Sequence, residues 1–262
     1  MEITQLNKIK VCLSSRQDKN YLMAADEIKV QYRDRKSIPD LIMDYPEATI
    51  ILENVNDEPF EWNDLEQWKI LSRGKLILCV ASPQTFKDAY SRGFQVYFGW
   101  LINDLETLNT VLKMGACYVR VGGSLFFSLD KVKLLGAHVR AVPNVAFDDG
   151  LDRDDGVVGT WIRPEDLDVY AHYIDAIEFM DCDLKKEQAL YRIYVEQKAW
   201  PGDLGLIVTG LNHIGVNRMI HPDLAEYRVK CRQRCQDNGA CRICYRFLAL
   251  ADPNLLADYK KN

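Results

Sequence analysis

The sequence has no apolar run approaching the ~20 residues that a membrane-spanning helix needs. Its first ten residues, MEITQLNKIK, lack the apolar core of a secretory signal. The expectation is a cytoplasmic protein without membrane contact. No G-x-G-x-x-G or G-x-x-x-x-G-K-[ST] follows an early strand candidate, which removes the usual mark of a dinucleotide or P-loop fold. Histidine is scarce. His138, His172, His213 and His221 are the four present, and they form neither an H-E-x-x-H motif nor a hydrolase triad signature. Basic excess is missing as well: a net charge of -5 and a pI near 5.5 argue against a protein that coats nucleic acid or an anionic membrane.

What is present is enough apolar material for one large core, at 48% hydrophobic and 27% charged over 262 residues. Short β-branched runs alternate with amphipathic stretches, the pattern of βα units. The strand candidates are IKVCL (9–13), EIKVQY (27–32), ATIILEN (48–54), KLILCVA (75–81), QVYFGW (95–100), CYVRVGG (117–123), HVRAVPN (138–144), GTWIRP (159–164) and DAIEFM (175–180). Helix starts are marked by Ser37 before Ile38 and Pro39, Asn63, Ser82 before Pro83, and Asn103; Gly93, Gly115 and Gly136 follow the last turns. Strand starts recur about every 20 residues, against ~30 in an ordinary (β/α)₈ barrel. The fold class expected is α/β, a compact or incomplete TIM-barrel-like array of parallel strands over residues 1–183. An open doubly wound sheet is its rival.

Residues 184–262 are expected to form a helical, cysteine-rich appendage, beginning with a helix over KKEQALYRIYVEQKAW that Pro201 and Gly202 end. Between apolar runs lies AFDDGLDRDDGVVG (146–159). Its Asp148, Asp149, Asp152, Asp154 and Asp155 do not match an EF-hand loop, so a solvated loop over the barrel mouth is the reading.

Cys231, Cys235, Cys241 and Cys244 form C-x3-C-x5-C-x2-C, with Asn238-Gly239 as a turn between the pairs. Four thiolates at this spacing point to a metal site and suit structural zinc and a [4Fe-4S] cluster equally. Arg228, Lys230, Arg232, Arg234, Arg242 and Arg246 surround them. The favoured role for these cations is compensation of thiolate charge; a nucleic-acid contact with Tyr245 and Phe247 stacking on bases is the less favoured one. Cys12, Cys79 and Cys117 fall within strand candidates as small buried hydrophobes, while Cys182 follows the last strand.

In parallel barrels chemistry gathers at the C-terminal ends of the strands. Polar residues there include Glu53, Asn54, Arg120, Arg140, Asn144, Arg163 and Glu178. Glu53 and Glu178 are the candidate general acid or base, and Arg120, Arg140 and Arg163, with Asn144, the candidate binders of a carboxylate or phosphate. The alternative is that the carboxylates and arginines pair with one another inside the barrel. Trp161, Trp100 and Tyr97 are candidate stacking walls or core residues.

The stretch from ATIILEN through GFQVYFGWLINDLETLNTVLKMGACYVRVGGSLFFSLDKV to HVRAVPNVAF, followed by a cysteine cluster, resembles the barrel half of the collagenase-like peptidase superfamily. Relatives in that superfamily carry a [4Fe-4S] cluster and act in anaerobic ubiquinone hydroxylation or RNA base hydroxylation, so the resemblance implies an iron-sulfur option. The four cysteines here sit in one short segment, where the family spreads them, and the peptidase signature is absent; no catalytic residue is carried over. The chain also resembles, in general look, phage and uncultured-microbe proteins. Two functions follow as expectations. One is a metal-containing, enzyme-like barrel that binds a small anionic or aromatic ligand at the strand ends. The other is a non-catalytic interaction or structural protein, viral in kind, that docks a protein partner through a metal-stapled tail.

Overall fold

A computed structural model describes residues 9–145, 160–197, 200–210 and 217–231. The acidic stretch with Asp148, Asp149, Asp152, Asp154 and Asp155 lies outside the described residues, as do Cys235, Cys241 and Cys244 with their flanking cations Arg232, Arg234, Arg242 and Arg246.

Among the described residues nine strands form one parallel sheet: β1 (Lys10–Ser14), β2 (Glu27–Gln31), β3 (Thr49–Asn54), β4 (Leu76–Val80), β5 (Gln95–Phe98), β6 (Leu101–Ile102), β7 (Val119–Val121), β8 (Val139–Ala141) and β9 (Ala176–Glu178). Their order is β5-β4-β3-β2-β1-β9-β8-β7-β6. The two ends of that list are consecutive pieces of one chain segment, residues 95–102. Its first half pairs with β4 and its second half with β7, while the Cys117 amide donates to the Val96 carbonyl at 2.9 Å. The ring therefore closes through a single interrupted strand, and the protein is an eight-position TIM-barrel-like fold.

Two of the nine strand candidates behave differently from expectation. QVYFGW (95–100) is a strand only over β5, its Gly99-Trp100 being a bend, and the chain resumes as β6 just beyond it, because this segment must serve β4 and then β7. In GTWIRP, residues 160–163 belong to no strand. Trp161 and Ile162 are buried at 1% and 0% exposure, but they pack on the outer layer, where Arg228 donates to the Trp161 carbonyl at 2.7 Å. Burial alone made this run look like a strand.

The sheet separates two apolar layers. Outward residues such as Val11, Ile28, Val30, Ile50, Leu52, Leu78, Val96 and Ile177 join the main core under the helices, whereas Cys12, Ile51, Ile77, Cys79, Tyr97, Tyr118 and Ala176 form a second cluster in the lumen. Alternation within continuously buried strands is what a two-faced parallel sheet requires.

The helices are short, as the tight spacing demanded: α1 (Lys19–Leu22), α2 (Ile38–Asp44), α3 (Trp62–Leu71), α4 (Pro83–Ser91), α5 (Leu105–Lys113), α6 (Gly123–Phe126), α7 (Leu129–Leu134), α8 (Leu167–Tyr170), α9 (Leu184–Tyr191) and α10 (Leu224–Val229). Ser82 caps α4 by accepting from the Thr85 amide, and Asp104, one residue beyond Asn103, caps α5 through the Thr107 amide. Helix α9 leans on β1: Glu187 accepts from the Ser14 amide at 3.0 Å and Gln17 donates to the Leu184 carbonyl. Residues after 184 thus begin as the last wall of the barrel before the chain runs on to α10.

Gly115 ends α5 at φ +91°, and a Cβ there would lie 2.4 Å from the Tyr90 ring. Both the left-handed backbone and the aromatic neighbour exclude a side chain. Gly115→Ala is expected to destabilise the protein by more than about 1 kcal/mol, read as a lowered melting temperature, whereas the same change at Gly136, with φ +78° but open space around it, costs less.

Candidate functional site

The strand ends carry charge where a barrel interior is ordinarily filled by branched apolar side chains. Glu27 and Lys29 come from β2, Glu53 from β3, Arg120 from β7, Arg140 from β8 and Glu178 from β9, and all point into the lumen, since their ion pairs join strands that are not neighbours. Arg120 Nε lies 2.6 Å from Glu178 and its Nη2 lies 3.7 Å from Glu53, across the ring. Lys29 Nζ donates to Glu178 at 3.2 Å. Arg120 Nη1 donates to the Gly99 carbonyl, and Gln31 donates to Glu53. This quartet of Lys29, Glu53, Arg120 and Glu178 is electrically neutral and sits toward the C-terminal mouth.

A second group lies deeper. Arg140 pairs with Glu27, and the Tyr118 hydroxyl donates to Glu27 at 3.0 Å while accepting from Lys10 at 2.9 Å. The Arg140 guanidinium lies over the Tyr118 ring at 4.7 Å and the Tyr97 ring at 5.3 Å, and Arg120 lies 5.5 Å from the same Tyr97. Tyr97 thus separates two guanidiniums that neighbour each other in register, using its ring faces where a carboxylate would otherwise be needed.

Burial alone would raise the Glu178 carboxyl, but Arg120, Lys29 and Arg140 outweigh it and hold the group well below its ordinary 4.5. Burial would likewise lower Lys29, and Glu178 and Glu53 reverse this, keeping the ammonium above its ordinary 10.5. Burial pushes the Cys12 thiol up to about 12, Cys79 to about 11 and Cys117 to about 12. All three are protonated at neutral pH, against thiolate nucleophiles; Cys12 and Cys79 are small buried lumen residues as expected, whereas Cys117 is half-buried and precedes β7.

The candidates read from the sequence divide into three groups. Glu53, Glu178 and Arg120 come together at the mouth. Arg140 is 1% exposed and committed to Glu27 one level below. Asn144 and Arg163 do other work. The Asn144 amide donates to the Met180 carbonyl at 2.7 Å and accepts from its amide at 3.1 Å, lacing the end of β8 to the end of β9. Arg163 holds Asp166 through two hydrogen bonds of 2.6 and 2.7 Å and reaches the Ile220 carbonyl. Because residues 160–163 are not a strand, Arg163 is removed from the mouth and pins the outer layer instead. Asn54 closes its own loop on Glu58. Of the three aromatics, Tyr97 and Trp161 are buried, and Trp100 alone is open, 37% exposed beside the end of β4, where its indole donates to the Ala81 carbonyl.

Arg228 also departs from the sequence reading. It is 2% exposed, bonded to the Trp161 carbonyl and set over Trp161, Phe127 and Phe126, so it belongs to the core and not to an exposed basic patch. Cys231 is buried, with its carbonyl accepting from Ser128 at 2.7 Å and its thiol 3.7 Å from the Tyr227 hydroxyl. Among the described residues no group of three or more His, Cys, Asp or Glu is placed to hold a metal ion. Lys29 and Gln31 were missed as site residues. They lie on the same face of EIKVQY, two residues apart, and that polar alternation on an otherwise buried strand was the available signal.

Removing the Glu178 charge would leave Lys29 and Arg120 facing Glu53 alone, one buried cation in excess, so Glu178→Gln is expected to cost about 3–5 kcal/mol in unfolding free energy. Because the folded-state pKa is depressed, the stabilisation from Glu178 is fully present above the ordinary 4.5 and is lost as pH falls below it. Urea melts of the parent should therefore weaken on acidification below that value, and the variant should show a flatter acid limb. A Glu178→Gln protein as stable as the parent at pH 7 would remove the network from its central place.

No protein-family model and no curated protein matches the sequence. Similar solved structures include a cube-shaped, highly porous cage designed by fusing symmetric oligomeric domains, at 16% identity and a TM-score of 0.43, covering 72% of each chain. They also include a glycerol uptake operon antiterminator-related protein from Thermotoga maritima, at 11% identity and 0.39, covering 66% of this chain and 95% of that one. A structure described as native KDPGal matches at 15% identity and 0.43, covering 71% and 91%.

Proposed function

We propose that the protein is an enzyme-like barrel whose C-terminal mouth binds a small, singly anionic or neutral polar molecule. The observation that carries this is the neutral quartet of Lys29, Glu53, Arg120 and Glu178 at the strand ends. Buried ion pairs give less stability than well-packed apolar residues of the same volume, so four charges at the end of a barrel where catalytic groups ordinarily sit are better explained by use than by folding. Lys29 is the group with donors to spare: its side chain keeps 14% of its exposure and one of its three N–H bonds is engaged by Glu178. It would receive the ligand's oxygen. Glu53, 7% exposed at the rim, would exchange a proton with the ligand, while Arg120 and Glu178 hold Lys29 and Glu53 in place. Trp100 supplies an exposed ring at the same end.

The same pairing also supports the second reading, a non-catalytic interaction protein with a barrel sealed by its own side chains. Ligand binding separates the two. In calorimetric titration with acetate and with glycerol as probes, the parent is expected to bind at least one and Lys29→Met to lose at least about tenfold in affinity, with the melting temperature of the variant recorded alongside. Binding unaffected by Lys29→Met, or no binding of either probe, would favour the interaction protein.

The cysteine cluster enters as a proposal of the same standing, and with it the resemblance to the collagenase-like peptidase superfamily. Cys231 gives the segment its starting point: it follows α10 and its C-cap Lys230, with its carbonyl tied to Ser128, and four thiolates suit a closed zinc site or a [4Fe-4S] centre. A [4Fe-4S] centre would supply redox chemistry, and zinc a staple. Protein purified without oxygen is expected to contain either about four irons per chain with broad visible absorption or about one zinc and no colour. Cys235→Ser or Cys241→Ser should release that metal. Protein free of both metals, with Ser variants that melt like the parent, would dismiss the site.

A further inference from the structure

A cavity bordered by described residues lies at the other end of the barrel. It encloses about 780 Å³ and is lined by Lys10, Thr49, Ile77, Gln95, Cys117, Tyr118, His138 and Asp175, among others. That size is within the range of small-molecule pockets. Ile77, Cys117 and Tyr118 also belong to the lumen cluster, so the cavity enters the barrel from its N-terminal face.

The charges around it decide what it would hold. Lys75 spends its three donors on the carbonyls of Pro46 and Glu47 and on the Glu47 carboxylate. Lys133 is paired with Asp175, which also meets His138 Nδ1 at 3.2 Å. Arg140 is paired with Glu27. What is left is Lys10: it is half exposed, donates one hydrogen bond to Tyr118 and stands 3.8 Å from Glu27. Among the described residues that line the cavity, Lys10 is therefore the cation with hydrogen-bond donors left over. Behind the Tyr118 ring, Arg140 Nε and Nη1 are buried without a hydrogen-bond partner among the described residues, adding unsatisfied donor character on the lumen side. Gln95 and Thr49 add polar groups to the wall, and Ile77 and Ile174 add apolar surface.

We propose that this N-terminal cavity is a second binding site, distinct from the mouth, for a small organic molecule bearing one carboxylate. The carboxylate takes the free donors of Lys10, and the apolar body lies against Ile77, Ile174 and Tyr118.

The test uses benzoate as probe and benzamide as its uncharged counterpart. Titration followed by NMR, with the His138 and Tyr118 ring signals assigned through His138→Gln and Tyr118→Phe, is expected to show saturable benzoate shifts at both rings and at least about tenfold weaker binding of benzamide. Lys10→Met should weaken benzoate by about tenfold while leaving benzamide unchanged; Lys10 lies at the open rim, and an unchanged melting temperature checks that the barrel is intact. Lys29→Met, at the opposite end, should leave the benzoate shifts as they are, which separates this site from the mouth. Absence of saturable shifts, equal binding of the two probes, or benzoate binding that survives Lys10→Met overturns the proposal.

Discussion

The ion pair between Arg120 and Glu178, 2.6 Å apart and almost wholly removed from solvent, is the interaction on which the interior depends. Arg120 also faces Glu53 across the ring and bonds the carbonyl of Gly99, the residue at which the fifth barrel strand breaks. Glu178 also receives Lys29. One pair thus connects five barrel positions, including the point where the ring closes. Losing either partner would unbalance the buried charges that remain, so strand register, ring closure and electrostatics are tied together. A shift of one residue in any of these strands would turn a charged side chain out of the lumen into the apolar layer under the helices.

This arrangement explains why the lumen is organised in two levels. Toward the mouth, charges balance four ways; below, Glu27 balances Arg140, with Tyr118 and Lys10 leading outward. Tyr97 lies between the two guanidiniums. Cysteines and small apolar residues fill the gaps, and their raised thiol pKa values reflect how little water enters. The two ends consequently differ in character: a neutral, tightly paired mouth and an open N-terminal cavity with the half-exposed Lys10 at its rim.

The outer layer after β8 follows a separate logic. Arg163, Asp166, Arg228 and Trp161 are all buried there, and Asp166 is raised above its ordinary value by that burial in spite of Arg163. Arg163, which looked available for a ligand, and Arg228, which looked like a counter-charge for the thiolates, are both consumed in holding residues 160–170 and α10 against the barrel. A buried arginine bonded to backbone carbonyls and stacked on rings is indistinguishable, in a linear sequence, from one facing a substrate.

The sequence by itself determined the class of fold. Alternating βα signals, Gly93, Gly115 and Gly136 after the last helical turns, and strands apolar on both faces leave little but a parallel sheet with covered faces. It also placed Glu53, Arg120 and Glu178 at strand ends, because polar residues interrupt buried runs there. Only the tertiary structure decided that the ring closes through the broken segment 95–102, that residues 160–163 are not a strand, and which carboxylate meets which arginine. The reason is physical: periodicity reports burial and facing, which are local, whereas ring closure and ion pairing depend on groups such as Glu53 and Arg120, 67 residues apart in the chain, meeting across a lumen that no local pattern encodes.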